Sequence, residues 1–335
     1  MLYYLAALIW IYIVSLHAQR LPILVSIPAS LPIVAFSALR GESGKDTLAY
    51  VERFYASDGV STAFTIDSEP LITILLSFSR MTFGDDVRGF FALHAFLLFI
   101  IYFLISKKRA LNGAYLLSVG PVFLLDGITN GMRVTLAYHA LLLGYTYGNR
   151  AFVRYFFWMA ALFAHITSAA AIALSLSLRH PRKTLVGLFL FFVAIYGITS
   201  GGLIDWMSLA PRVFSKLDKY SDLTLPTWYS GIIDLLTIWT LLLVSTLNTS
   251  ISTSKKLLAL LLSTLFCLLL YAGIQQSLAM IRISKLAIIA LFTSQLFTQK
   301  RIRKYRLLIP TIGFLYTANY LRQVATDPGF LPYGE

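Results

Sequence analysis

Charged residues and cysteine are scarce in this 335-residue chain. Asp, Glu, Lys and Arg make up 13% of it and hydrophobic residues 58%, whereas soluble domains carry about 25% charged residues. A soluble fold would have no way to bury helices that are apolar on every side. The single cysteine, Cys267, lies in the apolar run LLSTLFCLLLY. One cysteine excludes a disulfide framework and a thiolate metal site.

Apolar runs of roughly 15–24 residues separate the charged clusters, and such runs cross or nearly cross a bilayer core about 30 Å thick. They predict an all-α fold, that of a polytopic helical membrane protein. Without internal repeats or a soluble segment, residues 1–335 are expected to form a single transmembrane domain. The candidate spans are 2–16, 22–37, 87–106, 110–126, 128–148, 184–199, 229–247, 257–273, 279–298 and 307–321.

The charges are divided cleanly between two kinds of loop. Clusters such as 107–109, 179–183 and 300–306 are basic without any acid, whereas the fifteen acidic residues fall mainly in 38–88 and 200–234. Basic loops remain cytoplasmic in membrane proteins, so the acidic loops are predicted on the outer face, and both termini with them. The same rule explains the net charge of +13 without nucleic acid.

The segment 155–178 decides the helix count. A full span there would move every later basic cluster to the outer face. Two half-helices that enter from the cytoplasm and return keep these clusters inside, and broken backbone is tolerated at depth where protein or water covers it. We therefore predict about ten transmembrane helices plus a re-entrant hairpin that bends at His165. The alternative is a full span at 155–178, with 184–199 as the incomplete element.

Three arginines from distant segments, Arg40, Arg133 and Arg282, are predicted at the same outer depth. Ionisable groups at membrane depth are functional candidates, and the planar guanidinium suits phosphate oxygens. A lipid diphosphate headgroup is the ligand that such a cluster would bind. In the structural alternatives, Arg133 and Arg282 extend to the interface, or Arg133 pairs with Asp126.

Asp46, Glu69 and His165 are the candidates for a base that deprotonates an attacking hydroxyl. His165 could equally be a packing residue. The acids are not spaced as divalent-metal ligands, so we predict no metal site, and arginine would stabilise a diphosphate leaving group instead. The outer-face loops, about 38–86 and 200–228, are expected to line the site.

Four motifs resemble those of one family. LRGESGKDTLAY, ending at Tyr50, resembles the R-G-x-x-G-x-D-T-x-x-Y signature of the EpsG-like proteins, bacterial polysaccharide polymerases related to Wzy-type O-antigen polymerases. Glu69-Pro70, the segment NGMRVTLAYHALLLG with Arg133, and LFAHITSAA with His165 follow in the family's order. Val134 stands where the family pattern has Gln. The likeness covers roughly residues 38–170.

The resemblance implies a GT-C-like glycosyltransferase in the bacterial inner membrane, multi-pass, with its active site facing the periplasm. Such an enzyme is an oligosaccharide repeat-unit polymerase. It transfers an undecaprenyl-diphosphate-linked glycan chain onto a lipid-linked repeat unit, without cofactor or metal. Direct attack by the acceptor hydroxyl at the anomeric carbon would invert that centre. Membrane lipids and a chain-length regulator protein are the further partners implied. The polymer could be O-antigen of lipopolysaccharide, capsule or exopolysaccharide.

Under this hypothesis Arg133 and Arg282 bind the donor diphosphate and Arg40 assists them. Asp46 or Glu69 positions or deprotonates the acceptor hydroxyl, His165 competes for that role, and Tyr50 stacks on a sugar ring. Two alternatives remain: a flippase or transporter of lipid-linked oligosaccharides, and an O-antigen-ligase-like glycosyltransferase with the same donor and another acceptor.

Overall fold

A computed structural model describes most of the chain. The described residues are 1–41, 43, 44, 46–56, 69–165, 168–179, 229–247, 252–276, 279–293, 307–326 and 330. All regular elements among them are helical. They group into two compact units, Met1–Ala169 with Phe297–Glu335, and Ala170–Leu296, which are described separately.

The first unit contains ten helices with described bounds and a short 3-10 turn, Ile23–Val25. The helices are α1 (Leu2–His17), α2 (Ser26–Ala38), α3 (Thr47–Ala56), α4 (Pro70–Phe83), α5 (Val87–Lys107), α6 (Arg109–Leu117), α7 (Gly120–Thr129), α8 (Met132–Tyr147), α9 (Ala151–Ala164) and, from the end of the chain, Leu308–Thr326. Ser168–Arg179, α10, begins at the boundary between the units.

Helix α5 is central to the first unit. It contacts α2, α4, α7 and α8, and its inward side chains Phe90, Phe99 and Phe103 are fully buried. The Asp86 carboxylate caps its start by accepting from the Arg88 backbone N–H at 2.9 Å, which satisfies one of the unpaired donors of the first turn. With 21 residues, α5 is about 31 Å long, enough to cross a bilayer core.

The predicted span 110–126 is two helices, α6 and α7. The chain leaves helical geometry at Ser118 (φ −115°, ψ −96°) and resumes at Gly120-Pro121, where proline fits because a first-turn residue needs no N–H partner. The break makes room for another backbone, since a Cβ added at Gly313 would collide with the Leu117 carbonyl oxygen.

The turn between α2 and α3 depends on two glycines, Gly41 (φ 61°) and Gly44 (φ 115°). Glycine populates this left-handed region without steric cost. A Cβ on Gly44 would also collide with the carbonyl oxygen of Thr129 at the end of α7. The turn is therefore pressed against the α7–α8 connection, and it directs α3 toward the start of α8.

The predicted bend at His165 is confirmed. Helix α9 ends at Ala164, His165 is extended (φ −164°, ψ 124°), and α10 begins at Ser168. That α10 returns to the same side of a membrane stays a prediction.

The second unit contains α11 (Ile232–Leu247), α12 (Thr253–Gln276) and α13 (Ala279–Thr293), which contact one another. The terminal helix Leu308–Thr326 is named α14 from here on. The Ser284 hydroxyl donates to the buried Asp234 carboxylate at 3.1 Å, so the acid within α11 has a polar partner.

The fold is consistent with a helical membrane protein. By length and composition, Val87–Lys107 and Thr253–Gln275 qualify as spans, and seven further apolar helices of the described residues are shorter. The count of ten spans stays a prediction, as does the single transmembrane domain. The predicted span 184–199 and the loop 200–228 lie outside the described residues.

Candidate active site

The carboxylate of Glu69 gathers three residues that are distant in sequence. Its Oε2 accepts a hydrogen bond from Arg133 Nη1, and its Oε1 contacts His165 Nδ1. The Arg53 Nη1 lies 3.9 Å from Oε2. These residues come from the starts of α4 and α8, from the end of α9 and from α3, so four elements of the first unit meet at one carboxylate.

Glu69 occupies the N-cap position of α4, with extended backbone (φ −102°, ψ 99°) and Pro70 following it. Its backbone carbonyl accepts from Ile72 N and Thr73 N, both at 3.1 Å. Its side chain makes no cap hydrogen bond, although capping is the usual role of an acid here. The carboxylate instead extends away from its own helix toward Arg133 and His165.

Arg133 is the second residue of α8, where a backbone N–H has no partner within the helix. The Tyr50 hydroxyl accepts from that N–H at 3.4 Å. Tyr50 is itself buried, with its ring 6.1 Å from that of Phe90. The contact ties α3 to α8 and leaves the Arg133 side chain, 28% exposed, directed at Glu69.

His165 reaches Glu69 because the helix stops beneath it. Its backbone N–H donates to Ala161 O at 2.9 Å, and His165 itself has extended backbone (φ −164°, ψ 124°). The imidazole is 14% exposed and the Glu69 carboxyl 15%, so both are largely but not wholly removed from water.

The environment of Glu69 favours its ionised form. Burial by itself would raise the pKa of the Glu69 carboxyl, but the hydrogen bond from His165 and the positive charge of Arg133 outweigh it, so the pKa lies below its ordinary value of 4.5. Glu69 is thus an anion at neutral pH, paired with the Arg133 guanidinium and in contact with the His165 imidazole.

Arg53 was not among the sequence-predicted site residues. Its guanidinium is half exposed, 3.9 Å from Glu69 Oε2. The signal that could have found it is its spacing of three residues after Tyr50 in DTLAYVERF, because residues three apart share one face of a helix.

Arg40 lies apart from the Glu69 cluster in the contacts described. It is fully buried, Nη1 donates to the Ile128 carbonyl oxygen, and the guanidinium carbon lies 4.1 Å from the centroid of the Phe91 ring. These contacts hold the end of α2 against α7, and the predicted assistance of Arg40 at the donor diphosphate stays a prediction.

Tyr50 is 3% exposed and its ring packs against Phe90. In the structure Tyr50 supports Arg133 through its hydroxyl, and its stacking on a sugar stays a prediction. Asp46 lies at the start of α3, where its carbonyl accepts from Tyr50 N at 3.2 Å. Asp126 accepts from Asn130 Nδ2 at 2.9 Å. Arg133 pairs with Glu69 rather than with Asp126.

A family model matches residues 23–334, nearly the whole chain, and its description is EpsG family. The chain belongs to the EpsG family. No curated protein and no solved structure matches it.

Membership in the EpsG family, which is related to Wzy-like polysaccharide polymerases, indicates a polysaccharide-polymerase-type function in a membrane protein. In this EpsG-family chain, the Glu-Pro step, the Arg of the third motif and the His of the fourth converge on one carboxylate. The Arg40 of the first motif supports the backbone around them.

The predicted site extends beyond the described residues. The side chain of Arg282 in α13 lies outside them, as does the loop 200–228. Among the residues that the structure describes, no group of three or more His, Cys, Asp or Glu side chains is arranged to hold a metal ion.

Proposed function

We propose that this EpsG-family protein is a glycosyltransferase that polymerises lipid-linked oligosaccharide repeat units at the periplasmic face of the bacterial inner membrane. The observation that supports this function is the Glu69 carboxylate held between Arg133 and His165. It combines a cation for a diphosphate with a carboxylate–imidazole pair for proton transfer, which are the two needs of this reaction.

The Glu69–His165 pair acts as the base. With Glu69 ionised, the neutral imidazole carries its proton on Nδ1, the nitrogen that faces Glu69 Oε1, and Nε2 is left as the proton acceptor. A carboxylate that orients and stabilises a catalytic histidine in this way is a general design in enzymes. Asp46 remains a candidate for positioning the acceptor.

In the reaction, an acceptor sugar hydroxyl attacks the anomeric carbon of the donor chain. The new glycosidic C–O bond forms as the bond from that carbon to the diphosphate oxygen breaks. The hydroxyl proton passes to His165 Nε2, and undecaprenyl diphosphate leaves with its added charge stabilised by Arg133, with Arg282 as the second candidate. Attack from the opposite side inverts the anomeric centre, and the leaving group needs no metal or nucleotide.

The test is incubation of the purified full-length protein with a defined lipid-linked repeat unit, followed by separation of the products by length. Wild type should give dimers and longer products. His165→Gln and Arg133→Gln should each reduce the rate by about 10²–10³-fold, whereas Arg88→Gln, an exposed arginine at the start of α5, should retain it.

Imidazole added to His165→Ala should restore part of the rate if His165 transfers the proton. Full polymerisation by folded Arg133→Gln would refute the assigned diphosphate role. Transfer to lipid A core without a ladder would indicate the ligase alternative, and translocation without new bonds the flippase.

A further inference from the structure

Two guanidiniums share one carboxylate oxygen at the candidate site. Arg133 Nη1 donates to Glu69 Oε2, and Arg53 Nη1 lies 3.9 Å from the same atom. The two cations come from different elements, α8 and α3, yet they converge on a single anion. Their contacts with Glu69 use one nitrogen of each, although a guanidinium carries five N–H donors in a planar fork.

Both arginines are accessible to a ligand. Arg53 is 50% exposed and Arg133 is 28% exposed, whereas Glu69 beneath them is 15% exposed. A ligand that approaches from solvent therefore meets the guanidiniums before it meets the carboxylate. The two positive charges of Arg53 and Arg133 exceed the one negative charge of Glu69, so the two arginines attract a further anion.

A diphosphate suits this arrangement better than a carboxylate does. It offers more oxygens and more negative charge than Glu69, and arginine forks bind phosphate oxygens through paired, charge-assisted hydrogen bonds. The arginines can exchange Glu69 for a diphosphate, because the Glu69 carboxylate keeps a second partner, His165 Nδ1, on its other oxygen Oε1.

We propose that Arg53 and Arg133 together form a diphosphate site, that the Glu69 carboxylate occupies it in the free protein, and that an arriving diphosphate displaces this carboxylate. The inference rests on the proposed function and adds Arg53 as a substrate ligand. It also makes Glu69 a competitor for the donor's site as well as the partner of His165.

The exchange couples donor binding to the base. While Arg133 is paired with Glu69, its positive charge offsets the negative charge of the carboxylate that supports His165. Once the diphosphate has taken both arginines, the Glu69 carboxylate is left to His165 and strengthens the imidazole as a proton acceptor. The base is thereby activated only when a donor is in place, which protects the lipid-linked chain from attack before it is positioned.

The decisive experiment measures binding of inorganic pyrophosphate to the full chain in nanodiscs by titration calorimetry, without any turnover. Arg53→Gln should weaken binding by about tenfold or more, the usual cost of a hydrogen bond with a charged partner, and Arg53→Lys by less because its charge is kept. Arg80→Gln is the matched control, since Arg80 is a partly exposed arginine paired with Asp85 at 2.9 Å; the affinity of this variant for pyrophosphate should be unchanged.

Glu69→Gln provides the sharper test, because it removes the competing anion. Pyrophosphate affinity should rise by about tenfold although polymerisation is reduced. A merely structural Glu69, which positions the arginines, would instead lower that affinity when it is replaced. Weakened binding in folded Glu69→Gln, or unchanged binding in Arg53→Gln, would overturn the proposal.

Farnesyl diphosphate, a short polyprenyl diphosphate, distinguishes the sources of the ligand. If it competes with pyrophosphate and binds more tightly, the site takes a lipid headgroup; a site for free diphosphate would bind the two equally. The product ladder is scored separately. A ladder with unaltered Arg53→Gln binding refutes this inference alone, and Arg53-dependent binding without a ladder refutes the polymerase proposal alone.

Discussion

Glu69 illustrates how a single side chain can connect several elements. An acid at the start of a helix ordinarily caps its own backbone, but this carboxylate faces Arg133 and His165 instead. Pro70 fixes the first helical φ, and the Ile72 and Thr73 backbone N–H groups donate to the Glu69 backbone carbonyl. The Glu69 side chain therefore remains available to the site.

Because the pKa of Glu69 is lowered in the folded protein, its ion pair stabilises the fold at pH values above 4.5, the ordinary value. The stabilisation is lost as the pH falls through the lowered pKa of the folded state. In thermal unfolding in detergent, the melting temperature of the wild type should exceed that of Glu69→Gln by a constant difference from about pH 6 to 5. That difference should shrink at lower pH. Glu52→Gln, an exposed acid of α3, should show no such convergence.

At the scale of elements, the α2–α3 turn places α3 against the start of α8. Gly44 combines left-handed backbone with a backbone neighbour, Thr129 O, in the space that a Cβ would fill. Helix α3 carries Tyr50 and Arg53, so the position of this turn against the end of α7 determines where both side chains lie.

Gly44→Ala should destabilise the fold through two effects, strain of about 1–3 kcal/mol from the backbone conformation and about 1–3 kcal/mol more from the collision. Gly84→Ala is the control: its φ is 68° and no atom lies within 4 Å of the added Cβ, so it should show the first effect alone. Thermal unfolding compares them, and equal losses of stability would contradict the packing argument.

At the scale of the whole molecule, the charge partition predicts opposite membrane sides for the two ends of α5. Asp85 precedes this helix and Lys108 follows it, and both side chains are exposed. A span of about 31 Å separates them.

The membrane orientation can be measured with Cys267→Ser, which removes the chain's single cysteine. In that background, Asp85→Cys should react with a membrane-impermeant maleimide in intact spheroplasts, whereas Lys108→Cys should react only after permeabilisation. The opposite result would reverse the assigned sides.

Sequence motifs predicted three of the four residues at the Glu69 carboxylate: Glu69 belongs to the Glu69-Pro70 step that resembles the family's, and Arg133 and His165 interrupt apolar segments. Arg53 escaped because the loop 38–70 holds many charges, and polarity alone does not separate a solvated arginine from one that faces a site. Arg40 was assigned to substrate for a related reason: sequence gives the residue type, but the direction of its side chain depends on Phe91 and Ile128.

The sequence by itself determined the helical class, the family, the interruption at His165 and the residue types of the site. Those features follow from local chemistry: apolar runs form helices in a bilayer, and breaks occur at particular residues. Tertiary structure decided which partner each charge receives. Three features depend on how helices distant in sequence pack side by side: the pairing of Arg133 with Glu69 rather than Asp126, the burial of Arg40 and the approach of Arg53. Local sequence patterns do not specify the direction of that packing.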